Sequence, residues 1–239
     1  MILTAHQPVY LPWLGLFHKI ALCDAFCYFD DVQYLKKDWN NRNMIKTPNG
    51  VIWLTVPVLT KGHRGKPICR IEINNSVNWR KKHWQSIQLA YKKAPFFKRY
   101  IDFFEDIYAR EWTYLSELNE TMLKYLLKEL AIDIRYFKAS EIGFEGSKSE
   151  LVLDMCVKLN AKTYVFGALG KEYADIPSFK RHGIDVYFQD YSHPVYTQLG
   201  GGFAANLSVI DLLFNAGPGK SLDIIMSGNT TRRDISVKD

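Results

Sequence analysis

The sequence predicts an α/β protein: a mostly parallel central sheet with flanking helices and a small antiparallel β insertion. Three observations carry this. Met1–Ala5, Trp13–Leu22 and Ala25–Phe29 read as strand, helix, strand, the order of a parallel βαβ unit. The same alternation returns after residue 131. Between them, Pro48-Asn49-Gly50 separates Arg42–Lys46 from Val51–Val58, a strong signal for a hairpin turn.

Each element has a local reason. Pro12 can open the first helix, because a missing N–H costs nothing in a first turn. Ala25–Phe29 is a short apolar run closed by Asp30-Asp31. Beyond the hairpin, Ile68–Ile73 alternates Ile71 and Ile73 with Arg70 and Glu72 and reads as a strand, with Lys61–Lys66 as a flexible basic loop before it. Asn78 stands where a cap for Trp79–Lys92 belongs, and Pro95 opens Phe96–Tyr108. Thr113–Leu130 sets Leu115, Leu118, Met122, Leu126 and Leu130 on one stripe, the mark of a core-facing helix. Ile132–Phe137 reads as a strand, and Ser147 with Glu150 has capping-box spacing for a helix over Lys148–Leu159. Thr163–Phe166 is a strand closing at Gly167, Ile176–Arg181 a short helix and Ile184–Phe188 a strand. Asn206 would cap a last helix, Leu207–Phe214, stopped by Gly217-Pro218. The expectation is one domain over 1–225, with a hairpin and helical insertion at about 40–130, and a disordered polar tail over 226–239.

Composition narrows the function. The chain has 239 residues, enough for a substantial core. No apolar run approaches the roughly 20 residues of a membrane helix, and MILTAHQPVY lacks the basic and apolar regions of a signal peptide. A cytoplasmic protein without membrane insertion is therefore expected. Cys23, Cys27, Cys69 and Cys156 lack metal-type pairing and read as reduced thiols, so no metal is assigned. G-x-S-x-G, Walker and post-strand G-x-G-x-x-G motifs are absent. The net charge of +6 is concentrated in Lys36–Lys46, Lys61–Lys66, Arg80–Lys82 and Lys92–Arg99, interleaved with Trp39, Trp53, Trp79 and Trp84. Cations among aromatic rings suit a phosphate-bearing partner such as a nucleotide, a nucleotide-sugar or a nucleic acid.

Three constellations can carry chemistry. His6, Gln7 and Tyr10 lie in the proline-stiffened link between the first strand and first helix, where parallel sheets bind ligands and a helix start favours phosphate. His6 can act as acid or base; Gln7 and Tyr10 can bond a sugar or base. Asp30 and Asp31 close the adjacent strand and are expected to face the same crevice, one as a second acid–base candidate. Gln33, Asn40, Arg42, Asn43 and Lys46 follow them, with Arg42 and Lys46 suited to phosphate and the asparagines to hydroxyls. The third constellation pairs the loop Gly167–Tyr173 with Gln189, Tyr191 and His193, a candidate second wall of the pocket or ordinary strand-end loops.

The runs HQPVYLPWLGLFHKI, FDDVQYLKKDWNNRNMIK, WLTVPV, FQDYSHPVY and NLSVIDLLFN closely resemble the WbqC-like protein family, over roughly residues 3 to 217. The resemblance implies a bacterial protein encoded among genes for O-antigen and other surface polysaccharides. It further implies tailoring of a nucleotide-linked sugar, by acylation or aminoacylation of an amino sugar, with an acyl or aminoacyl carrier as a candidate partner. No required cofactor is evident, and the acyl donor and oligomeric state stay open. A weaker resemblance is to the nucleotidylyltransferase-like α/β fold, but its H-x-G-H is missing: His6 and His18 are twelve apart. The rival from another class is a non-catalytic protein that binds nucleic acid or a carrier through Trp79–Arg99.

Overall fold

The computed structural model describes residues 1–59, 61–62 and 65–236. His63 and Arg64 of the expected basic loop, and 237–239 of the expected tail, lie outside them. The described strands are β1 (Ile2–His6), β2 (Ala25–Tyr28), β3 (Arg42–Thr47), β4 (Gly50–Thr55), β5 (Arg135–Lys138), β6 (Thr163–Phe166) and β7 (Asp185–Phe188). Five of them form a sheet in the order β5-β2-β1-β6-β7, every pairing parallel. Covered on both faces, β1 and β2 are apolar and buried along almost their whole length, as parallel strands must be. β3 and β4 form a separate antiparallel pair about the turn at Pro48–Asn49, in the register Arg42↔Thr55.

The strand order decides where a ligand can sit. From β1 the chain builds outward to β2 and β5, then returns to β1's other edge with β6 and β7. The order reverses between β1 and β6, and a sheet of this kind opens a crevice at the carboxyl ends of the strands there.

Ten helices are described: α1 (Leu14–Ala21), α2 (Trp79–Tyr91), α3 (Phe97–Ala109), α4 (Leu115–Glu129), α5 (Ala139–Ile142), α6 (Ser149–Lys158), α7 (Ile176–Arg181), α8 (Val209–Ala216), α9 (Pro218–Met226) and α10 (Arg232–Ser236). One core joins α1–α4, α8, α9 and the hairpin. Another lies between sheet residues such as Leu3, Cys27 and Phe166 and the helices α6 and α7. The α4 stripe is fully buried, as its spacing predicts.

Several local expectations are corrected. Ile68–Ile73 is not a strand: Ile68–Arg70 is a 3₁₀ turn behind Pro67. Ile71 and Ile73 do alternate inward, but the backbone bonds of this stretch go to Val32, Asp30, Thr113, Leu59 and Leu115 rather than to one partner strand. Asn78 forms no side-chain cap, and no side-chain cap bond forms at the start of α6, where Ser147 accepts the Glu150 N–H through its carbonyl. Ser208, not Asn206, caps α8, and Pro218 begins α9 at its first turn rather than ending the helical region.

The described part of the tail, 226–236, is also more ordered than its composition suggests. Ile235 of α10 is buried with Ile2, Leu22, Cys23 and Val165. The Thr230 carbonyl accepts from His18 Nε2 at 3.0 Å, and Arg232 pairs with Asp24. Polar spacing conceals this, because a single apolar residue, a backbone carbonyl and an ion pair do the anchoring. No helix among the described residues is long and apolar enough to cross a membrane. The four cysteines are free.

Candidate functional site

A cavity of about 650 Å³ opens where β1 and β6 part, within the roughly 300–1,000 Å³ usual for small-molecule sites. Five segments build it. β1 and its loop give His6 and Gln7, and α1 with the residue before it gives Trp13, Gly15 and Lys19. The approach to the hairpin gives Asp38, Trp39 and Asn40; the loop after β6 gives Gly167–Gly170; the segment after β7 gives Gln189–Tyr191.

His6 sits at the end of β1 with its Nδ1 2.8 Å from the Gln7 carbonyl. A carbonyl only accepts, so Nδ1 carries the hydrogen and Nε2 keeps its lone pair. The ring meets Trp13 edge to face at 5.4 Å. Burial, and then the nearby Lys19 charge, push its pKa down to about 3, so the ring is neutral at ordinary pH.

Lys19 is the residue that sequence reasoning missed. It is 4% exposed, on the octet LGLFHKIA that forms α1. Its Nζ donates to the Ala5 carbonyl at 3.0 Å. Among the described residues no carboxylate lies within 4.0 Å of it, and burial pushes the ammonium down to about 8. The signal was a lone lysine in an apolar helix whose three- and four-residue neighbours, Leu16, Leu22, Gly15 and Cys23, include no acid.

The remaining walls divide into spent and unspent groups. Gln189 Nε2 bonds both the Gly15 carbonyl and His18 Nδ1 at 2.8 Å, tying the segment after β7 to α1. Asn40 Nδ2 bonds the Pro8 carbonyl at 2.8 Å. Its Oδ1, like the Tyr191 hydroxyl, is buried without a partner among the described residues. Gly15 lets the wall close: a Cβ there would meet Tyr191 Cδ1 at 2.9 Å and Trp13 Nε1 at 3.0 Å. From Trp13 a row of rings leads outward, to Trp39 at 5.6 Å and on to Trp53 at 5.3 Å, ending in the Arg42 guanidinium over Trp53.

Thus His6, Gln7, Asn40, Gln189 and Tyr191 meet at the cavity, and the glycine loop after β6 is part of its wall. The other candidates are elsewhere. Asp30 is fully buried, but its carboxylate accepts from the Ser140 N–H and hydroxyl at 2.9 and 2.8 Å and stands 3.9 Å from Lys138. It caps the start of α5 on the β2–β5 side of β1, whereas the crevice lies on the β1–β6 side. The expectation of one crevice shared by His6, Asp30 and Arg42 is therefore corrected: adjacency of strand ends did not say which edge of β1 opens. Asp31 and Gln33 are exposed, the latter bridged through its backbone to Pro67.

Tyr10 is buried in the helical core, its hydroxyl 2.8 Å from His83 Nδ1 and 2.5 Å from the Tyr108 hydroxyl. Asn43 donates to the Leu11 carbonyl, holding a leucine at φ 46°, so it positions the His6 loop rather than a ligand. Lys46 Nζ bonds the Gly201 and Gly202 carbonyls at 2.7 Å. His193 stacks at 6.3 Å from Tyr196, whose hydroxyl binds the buried Asp211 at 2.9 Å. The surface expected over Trp79–Arg99 has its lysines and Arg99 exposed, but Arg80 is half-buried, Trp79, Tyr91 and Phe97 lie in the core, and Trp84 stacks on Phe97, Phe104 and Tyr108.

Comparison with known proteins agrees with the motifs. A model of the WbqC-like protein family matches residues 7–222. The chain is 38% identical over 213 residues to the uncharacterised protein Rv1507c of Mycobacterium tuberculosis (strain ATCC 25618 / H37Rv), covering 88% of this chain and 92% of the relative. No solved structure matches at a comparable level of significance. With its family's model spanning nearly the whole fold, from the residue after β1 into α9, this chain belongs to the WbqC-like protein family.

Proposed function

We propose that this protein is a transferase that tailors a nucleotide-activated amino sugar for surface polysaccharide assembly, by N-acyl or aminoacyl transfer. The observation that supports this best is the cavity at the strand-order reversal, aromatic on one side and holding a buried ammonium with no carboxylate beside it among the described residues. A nucleotide-sugar offers rings for the first and phosphate for the second. The genomic setting implied for the family supplies the sugar class.

In such a transfer the sugar amine attacks the donor's acyl carbonyl, a C–N bond forms as the bond from that carbonyl to the donor's leaving group breaks, and the proton the amine loses passes to the departing group. His6, neutral and with Nε2 free of its backbone bond, is the group that carries it between them. In the empty cavity it is a weak base. Phosphate beside Lys19 would offset the charge that helps hold His6 down, and so raise its basicity as substrate arrives. The Tyr191 hydroxyl is the unspent donor for the developing oxyanion. Asp30 takes no part, because both its oxygens are engaged.

The experiment is a thermal-shift panel of nucleotide-sugars against the whole protein, followed by an acyl-transfer assay on any sugar that stabilises it. At a hundredfold excess over Kd, a bound sugar stabilises by about 2.7 kcal/mol. No shift with any nucleotide-sugar would sink the reading.

A further inference from the structure

We infer that Lys19 and the open space before Gly167 form the receptor for a phosphoryl oxyanion, seated between the carboxyl ends of β1 and β6. This rests on the reading of the cavity as a nucleotide-sugar site, and it moves the phosphate contact away from Arg42 and Lys46, where the sequence places it.

Three observations carry the inference. An ammonium has three hydrogens, and Lys19 commits one to the Ala5 carbonyl at the end of β1. The other two have no protein acceptor among the described residues, although Lys19 is almost wholly buried. A buried charge without a partner is costly to a fold, so a folded chain that keeps one has a compensating ligand or a functional reason to bear the cost. Second, the space in front of the ammonium is kept open by a glycine. A Cβ on Gly167 would stand 4.0 Å from Lys19 Nζ, with no other heavy atom that close. Gly167 has φ −70° and ψ 171°, which any residue adopts, and a Cβ there would make only an ordinary contact, so neither backbone nor packing demands glycine; its effect is to leave the space before the ammonium unfilled.

Third, the competing cations are already occupied. Lys46 Nζ holds two glycine carbonyls on the segment before α8, and Arg42 lies over Trp53 and donates to the Lys37 carbonyl. Neither lines the cavity. The acids that do line it, Asp38 and Asp190, are not within ion-pair distance of Lys19, and Asp38 accepts the Trp39 N–H at 2.7 Å. Among the described residues, an oxyanion entering the cavity therefore finds one uncommitted buried charge, Lys19.

The test is calorimetric titration of inorganic pyrophosphate into the intact protein and three variants: Lys19→Met, Gly167→Val and Lys46→Met. Losing one charge-assisted bond corresponds to at least about tenfold in affinity. Lys19→Met should weaken pyrophosphate binding by that much or more, and Lys46→Met should leave it within about twofold. Gly167→Val keeps the ammonium and fills the space before it, so it too should lose binding; it carries the test if Lys19→Met does not fold. Unchanged affinity in folded Lys19→Met and Gly167→Val would overturn the inference, as would a loss confined to Lys46→Met or no binding to the wild type. If nucleotide-sugars bind wild type and Lys19→Met equally, the anchor is wrong while the functional reading stands. If pyrophosphate needs Lys19 but no nucleotide-sugar binds, the functional reading fails and the anchor stands.

Discussion

Replacing Lys19 by methionine should stabilise the protein at neutral pH. The side chain keeps its apolar stem and loses a charge that the fold holds out of water. Burial lowers the ammonium from 10.5 to about 8, and at about 1.36 kcal/mol per pH unit this is roughly 3 kcal/mol. Against it stands the bond to the Ala5 carbonyl, worth about 0.5–1.5 kcal/mol. The net expectation at pH 7 is a gain on the order of 2 kcal/mol. The sign of the pH dependence follows from which state holds the proton. Below about 8 the lysine is charged both folded and unfolded, and the full penalty is present. Between about 8 and 10.5 the unfolded chain holds the extra proton, so wild-type stability rises with pH. Above that window the lysine is neutral in both states and the advantage of methionine disappears. Chemical denaturation of both proteins from pH 6.5 to 11, reported as the difference between them, isolates this one group. A variant less stable than wild type at pH 7, with a difference that does not change with pH, would show that Lys19 is a satisfied structural lysine and refute the reasoning.

Further outcomes test the other assignments. His6→Asn should cut turnover by roughly 10²–10⁴-fold if the ring is the base. It should also flatten the acid limb of stability: the folded ring stays neutral down to about 3, so wild type loses stability as pH falls from 6.5 through that value, and urea titrations at pH 7 and pH 4 would show it. Asp30→Ala should cost about 1–3 kcal/mol, because it frees the Ser140 N–H and hydroxyl, while activity per folded molecule is kept; a stable but inactive variant would return Asp30 to the mechanism. Tyr191→Phe removes a hydroxyl with no protein partner, so melting should be unchanged or slightly raised while kcat falls; unchanged kcat would remove Tyr191 from the oxyanion contact. Ending the chain after residue 228 should lower the melting temperature, because His18 loses the Thr230 carbonyl and Ile235 leaves its buried cluster; an unchanged melting temperature would show that the tail contributes nothing.

The fold was legible wherever hydrophobic period and punctuation agreed. β1, α1, β2, the hairpin, α4, β6, α7 and β7 all lie where their patterns put them. Ile68–Ile73 failed because alternation reports which side chains point inward, not whether a neighbouring strand exists to bond the backbone. The site was legible in part. His6 and Gln7 could be placed from the rule that ligands sit at strand ends, but that rule names every strand end equally. Choosing the β1–β6 edge over the β1–β2 edge requires the strand order, and β6 is far along the chain from β1. Strand-end adjacency alone therefore groups Asp30 with His6, and Lys19, hidden among apolar neighbours, reads as part of a helix pattern rather than as an exception to it.

The strand order also has a consequence for how the chain is made. β1 is the central strand, yet one of its neighbours comes from the distant half of the sequence: the Thr4 hydroxyl bonds the Val165 carbonyl, 161 residues away. At roughly 5–20 residues per second on a ribosome, β1 waits on the order of 8–32 seconds for β6. During that wait a strand that ends up buried on both faces has one edge unpaired, with α1 and β2 already available on the other. The nascent chain thus carries an unpaired edge on its central strand for most of its synthesis.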